Sequence, residues 1–115
     1  MIPTNIASFE EWQKLDFRVG KIIKVEDIEG ADKLYKINVD VGEEIGERTI
    51  CAGLKEYYSK NELLDKKIIL FVNLAPRKMR EIESKGMLLA AVDKDKNKVV
   101  LISPEKDVGV GARVS

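Results

Sequence analysis

Between Tyr35 and Val41 the chain alternates strictly. Tyr35, Ile37, Val39 and Val41 are apolar, and Lys36, Asn38 and Asp40 between them are polar. Side chains on a strand point alternately to opposite faces, so this stretch predicts a half-buried β-strand. A slip of one residue would turn all four apolar side chains to solvent, so its register is tightly specified. Flanking segments obey the same period. Phe17, Val19, Ile23 and Val25 share one parity, with Arg18, Ile22 and Lys24 on the other, and predict an earlier strand. Gly20 lies inside that run, where a glycine marks a bulge or a sharp bend. Gly42 to Gly46 reads as a loop, Arg48 to Ala52 as a third strand, and Lys67 to Val72 (KIILFV) as a central strand. Met87 to Val92 predicts a further strand. Lys98 to Ile102 pairs back on it across the polar turn Asp93 to Asn97, and Val108 to Val114 predicts a last extended piece.

Two short helices interrupt this pattern. Ser8-Phe-Glu-Glu11 and Ser59-Lys-Asn-Glu62 are capping boxes, in which the serine caps a helix and the glutamate three residues on reaches back. Phe9, Trp12 and Leu15 fall on one side of the first. The second separates the third strand from the fourth. The order is therefore strand, strand, strand, short helix, strand, loop, strand. It predicts an all-β fold: a five-stranded OB-fold barrel with short helices and a C-terminal β extension. The first strand, bent at its glycine, would serve both sides of the barrel. An SH3-like barrel is the structural alternative.

Composition narrows the chemistry. The 115 residues fit a single domain, residues 1–115. With no histidine and one cysteine, the chain lacks Ser-His and Cys-His nucleophile systems, a Cys/His zinc cluster and any intrachain disulfide. No carboxylate pair stands out among the acids, and there is no phosphate-binding loop or dinucleotide fingerprint. The expectation is a protein that is not itself an enzyme and needs no cofactor or metal. Twenty basic residues balance twenty acidic ones, so a nucleic-acid site must be a local patch rather than the whole surface. Seven aromatics are too few for a general single-strand binder that stacks successive bases. The charged fraction, 35%, leans toward a thermophilic source. The N-terminal stretch carries no secretory signature and no apolar run could span a bilayer, so a cytoplasmic location without membrane contact is expected.

The segment Asn73-Leu-Ala-Pro-Arg-Lys-Met-Arg-Glu-Ile-Glu-Ser-Lys-Gly-Met87 stands out. It holds Arg77, Lys78, Arg80 and Lys85 against Glu81 and Glu83. In an OB-fold it would form the loop between the fourth and fifth strands, a usual place for oligonucleotide contact. Arginine can fork onto phosphate and lysine supplies a point charge. Asn73 and Ser84 could bond sugars, phosphates or base edges, and Met87 could touch a base. By charge alone, an ordinary solvated loop fits better. Lys33 could add a phosphate contact, while Tyr35 has the parity of a core residue. Cys51 reads as a small buried residue, and Gly53 as a point of close approach. Asp16 and Arg18 could pair at the barrel rim.

At these residues the chain resembles the tRNA-binding domain found at the C-terminus of many methionyl-tRNA synthetases and as free-standing small proteins. It also looks like the related domain of synthetase cofactors and endothelial-monocyte-activating polypeptide. LDFRVGKIIKVE (15–26), ADKLYKINVDVGE (31–43), RTICAGLKEYY (48–58) and KKIILFVNLAPRKMREIESKGMLLAA (66–91) run in family order. The resemblance implies tRNA binding by overall shape, with contacts at Lys33, Asn73, Arg77, Lys78, Arg80, Ser84, Lys85 and Met87. It implies a homodimer formed through the C-terminal extension, about 93–115. It further implies a beta subunit delivering tRNA to a separate methionyl-tRNA synthetase catalytic subunit. Many members carry His-Pro where this chain has Ile28-Glu29, and Glu29 would repel phosphate. Dimeric peptide-binding export chaperones share much of the same domain, and that reading stays open.

Overall fold

The computed structural model describes residues 4–115. Helix α1, Phe9–Lys14, opens with the expected capping box. The Ser8 hydroxyl accepts from the Glu11 amide at 3.1 Å, and the Glu11 carboxylate accepts from the Ser8 amide at 3.0 Å. Two of the donors left over at a helix start are satisfied in this way. The same bonds hold the Glu11 carboxyl below its ordinary range. Strand β1, Phe17–Asp27, leads to β2, Tyr35–Asp40, and to a single helical turn α2, Gly42–Ile45. The expected loop at 42–46 is thus helical, closed by the Gly46 amide donating to the Gly42 carbonyl at 2.7 Å. Strand β3, Glu47–Ala52, precedes α3, Lys60–Leu63, which carries the second capping box. Then follow β4, Lys67–Phe71; β5, Arg77–Met79; β6, Ile82–Ser84; β7, Met87–Leu88; β8, Ala90–Asp93; β9, Lys98–Leu101; and β10, Arg113–Val114.

The strands form a nearly closed antiparallel barrel in the order β3-β2-β1-β4-β7. Strand β1 is shared by both halves. Its residues 21–27 pair with β2 and 17–21 with β4, and Lys21 lies opposite both Asp40 and Lys67. The gap between β3 and β7 is spanned by the Lys85 amide, which donates to the Thr49 carbonyl at 2.9 Å. A five-stranded OB-type barrel was expected, and this is one.

Ile22, Ile37, Val39, Ile50, Leu63, Ile68 and Leu70 are fully buried and fill the interior. Tyr35 joins them, its hydroxyl donating to the Tyr58 carbonyl at 2.8 Å. Strand β4 is buried on both faces. Ile68 and Leu70 face the interior, and Ile69 packs outside with Phe17 and Val19. Trp12 of α1 covers that outer cluster, its ring 5.8 Å from Phe17.

The parity expected for β1 fails halfway along. Phe17 and Val19 belong to the outer cluster, whereas Ile22 is fully buried in the interior and Ile23 is 42% exposed. The ladder with β2 shifts between Ile22 and Lys24, so the bulge sits at Ile23 and not at Gly20. An extra residue there returns Val25 to the interior side. Gly20 serves close approach instead. A Cβ on it would lie 2.5 Å from Val39 Cγ1. Gly53, by contrast, approaches nothing closely: a Cβ there would meet only the Lys33 carbonyl, at 4.0 Å.

The strand expected over Met87 to Val92 is split: β7 joins the barrel beside β4, and only β8 pairs with β9 as the C-terminal hairpin. The last extended piece is just β10, which pairs Val114 with Phe17 and Arg113 with Arg18. Arg18 and Asp16 pair as expected, at 2.7 Å.

Gly20→Ala is expected to cost about 1–3 kcal/mol through overpacking against Val39. In a Val39→Ala background the same change should cost clearly less, because the two sites touch. Urea denaturation of the four variants of this cycle measures the difference.

Candidate nucleic-acid interface

The basic segment expected as a long loop is largely a hairpin. Strands β5 and β6 pair Arg77 with Ser84, Lys78 with Glu83, and Met79 with Ile82. Arg80 and Glu81 form the two-residue turn between them, at φ 50° and 70°. Two positive φ values in succession fit the type I′ turn, whose twist matches a hairpin and which normally uses Asn-Gly. Branched or long side chains pay a conformational penalty there, so two charged residues are held in a conformation they disfavour.

The hairpin is anchored by its apolar side chains. Met79 and Ile82 pack against the buried residues Ile28, Ala31 and Cys51, with Leu34 beside them. This cluster joins the hairpin to the β1–β2 loop and to the outer face of β3. The Ile28-Glu29-Gly30 stretch thus adjoins the hairpin: Ile28 is buried in the anchoring cluster, and Arg80 Nη1 lies 3.1 Å from where a Gly30 Cβ would stand. Burial raises the Cys51 thiol above its ordinary range, partly offset by Lys36. At 1% exposure Cys51 is the small buried residue expected.

The named residues fall into three sets. Arg77, Lys78, Arg80 and Lys85 project from the hairpin and its exit, all exposed. Lys33 joins them across a shallow depression of about 300 Å³, lined by Gly30, Ala31, Asp32, Leu34 and Arg80. Ser84 is in the motif but buried, at 4% exposure. Its hydroxyl accepts the Cys51 amide at 3.0 Å and so helps close the barrel. Asn73 and Met87 are the two ends of the segment, on either side of the hairpin. The Asn73 side chain accepts from the Asp16 amide at 2.8 Å and donates to the Lys14 carbonyl at 2.7 Å, pinning the link between α1 and β1. Met87 is half-buried and pairs with Phe71. Beside it Gly86 holds φ 122°, where a Cβ would stand 2.9 Å from the Phe71 carbonyl.

Sequence reasoning missed Met79, Ile82 and Ile28 as the anchor. The alternation Ile82-Glu83-Ser84 was the available signal. It was obscured because the charges around it dominate the reading.

A small antiparallel barrel with a basic hairpin at its seam defines an OB-type domain, a fold that binds oligonucleotides and oligosaccharides. Residues 17–113 match the model of the tRNA binding domain family. The chain belongs to that family.

Among solved structures it is similar to a MetRS-related protein from Pyrococcus horikoshii. Identity is 40% and the TM-score 0.88, over 97% of this chain and all (100%) of that one. It is also similar to the CsaA chaperone protein from Picrophilus torridus, with 32% identity and TM-score 0.86, over 96% and 100% of the two chains. Among curated proteins it is 52% identical over 108 residues to methionine–tRNA ligase of Pyrococcus furiosus, covering 94% of this chain. The chain spans 14% of the length of that ligase. No described helix is long and apolar enough to cross a membrane, and no group of potential metal ligands occurs among the described residues.

Two substitutions separate architecture from contact. Replacing Arg80-Glu81 by Asn-Gly should stabilise the domain by about 1 kcal/mol by relieving both strained positions. Ser84→Ala should destabilise it by about 1–3 kcal/mol by orphaning the buried Cys51 amide. Thermal unfolding followed by circular dichroism gives both signs.

Proposed function

We propose that this domain binds folded tRNA by its shape and backbone, through the β5–β6 hairpin and the adjoining β1–β2 loop. The observation that carries the reading is the hairpin itself: three exposed cations on an anchored two-stranded element and a fourth, Lys85, at its exit, within a family matched over residues 17–113. Folded RNA offers closely spaced phosphates and 2′-hydroxyls that proteins read by shape. In this reading Arg77, Lys78, Arg80, Lys85 and Lys33 form the basic surface that faces the RNA. Ser84, buried against the Cys51 amide, acts in this reading by holding the platform, while Asn73 and Met87, which keep exposed surface, remain proposed contacts. The relatives named methionine–tRNA ligase support a role in supplying tRNA to that enzyme, as a domain or as a beta subunit without chemistry of its own. The setting proposed is the cytoplasm.

The domain is further proposed to act as a homodimer. Val92, Val100 and Ile102 are 62%, 51% and 42% exposed on the C-terminal extension, and Phe9 of α1 is 70% exposed. A two-stranded hairpin such as β8–β9 is marginal alone and gains from cover. A thermophilic source is supported by ion-pair clusters such as Asp27, which takes Lys60 at 2.7 Å and Lys55 at 3.0 Å. Those lysines hold its carboxyl below the usual range. Its stabilising effect is therefore present above the ordinary carboxylate pKa and is lost as pH falls. Peptide binding is the second reading. The likeness to CsaA chaperones favours it, as does an apolar hollow of about 520 Å³ beside Trp12, Leu15 and Phe71.

Arg77→Ala with Lys78→Ala should weaken tRNA binding and flatten its salt dependence by about 1–2 in slope, with the fold intact. Unchanged affinity at low salt in a filter assay would remove the hairpin from the site. Competition by unfolded protein but not by tRNA would favour the second reading. For the dimer, light scattering at micromolar concentration should give twice the chain mass, and Val92→Asp with Val100→Asp should halve it.

A further inference from the structure

Three cations around the hairpin carry their own counter-charge, and two do not. Lys33 pairs with Glu56 at 3.6 Å, Lys78 with Glu81 at 3.5 Å, and Lys85 with Glu83 at 4.0 Å. Arg77 and Arg80 have no acidic partner among the described residues. The division follows side-chain type: every lysine of the patch is paired and both arginines are open.

The pairs are exposed, with 90% of the Glu81 side chain and 58% of that of Glu83 in solvent. Exposed pairs of this kind are weak and do not lock a side chain. Their effect is on the field. A carboxylate within about one Debye length, roughly 8 Å, lowers the potential that any approaching phosphate meets. A flexible polyanion lying loosely on the patch responds to net local charge, so each carboxylate weakens it. A docked, shaped RNA depends on directed contacts. The arginines supply these, because a guanidinium forks onto phosphate oxygens in fixed geometry. Arg80 is aimed by its turn and by its seat over Gly30.

We infer that Glu56, Glu81 and Glu83 are specificity residues. Arg77 and Arg80 carry the docked contacts, and the three carboxylates screen the lysines against diffuse binding of unstructured nucleic acid. This rests on the tRNA reading above. It also accounts for acidic residues inside a binding hairpin, where affinity alone would disfavour them.

The test compares the intact chain with Glu56→Gln/Glu81→Gln/Glu83→Gln for binding to folded tRNA and to single-stranded poly(U), each over a salt series. The substituted chain should bind poly(U) about tenfold more tightly, with the slope steeper by about 0.7 per lysine released. Its affinity for tRNA should change less than about threefold, and circular dichroism should show an unchanged fold. Equal gains for both RNAs, or no gain for either, would overturn the inference and leave the tRNA reading standing. An unsubstituted chain that does not prefer tRNA to poly(U) would overturn the tRNA reading, and the inference with it.

Discussion

Strand β1 has to be hydrogen-bonded along both edges while its inner face passes from one half of the barrel to the other. A regular strand cannot do this, because its side chains keep one parity and fill the space on the inner face where the bent barrel brings other side chains close. Two local departures solve the problem. At Gly20 the missing Cβ lets Val39 come into the space a side chain would occupy. At Ile23 an extra residue shifts the ladder and resets the parity. Phe17 and Val19 are thereby free to build an outer cluster under α1, while Ile22 and Val25 serve the interior. The barrel, the seating of α1 and the docking of β10 all follow from that one strand.

The basic hairpin depends on this frame at one remove. The barrel sets β3 and the β1–β2 loop side by side, and Met79 and Ile82 lie across both. The charges are thus carried on a platform with its own small core, which a flexible loop would lack. That bears on the proposed function, because a loop without such packing loses more entropy on docking.

Much of this was legible in the sequence. Alternation located β2 and the interior set Tyr35, Ile37 and Val39, and the capping boxes at Ser8 and Ser59 located two helices. Those signals are local, set by neighbours within four residues. The errors came where tertiary contact decides. The parity of β1 was misjudged because a bulge leaves no mark in composition; Ile22 and Ile23 are chemically identical, and only the partner strand tells them apart. The segment 73–87 carries no hairpin signal, because its turn residues, Arg80 and Glu81, are not turn formers. In the site, residue type foretold the exposure of the arginines and lysines. It did not foretell that Ser84 and Asn73 would bond the protein's own backbone. A polar residue within a motif can be there to finish the fold.

The closure of the barrel shows what that means in motion. Most seams of the sheet are ladders of several backbone bonds. Between β3 and the hairpin's exit the chain relies on the Lys85 amide and on the Ser84 hydroxyl. A barrel fastened so lightly along one line has its lowest opening energy there, and the amides of Cys51 and Lys85 would exchange with solvent ahead of those in β1. That line runs beneath the surface proposed to meet RNA. A ligand spanning the hairpin and the β1–β2 loop would act as a clasp across it, so that occupancy and the integrity of the barrel rise together.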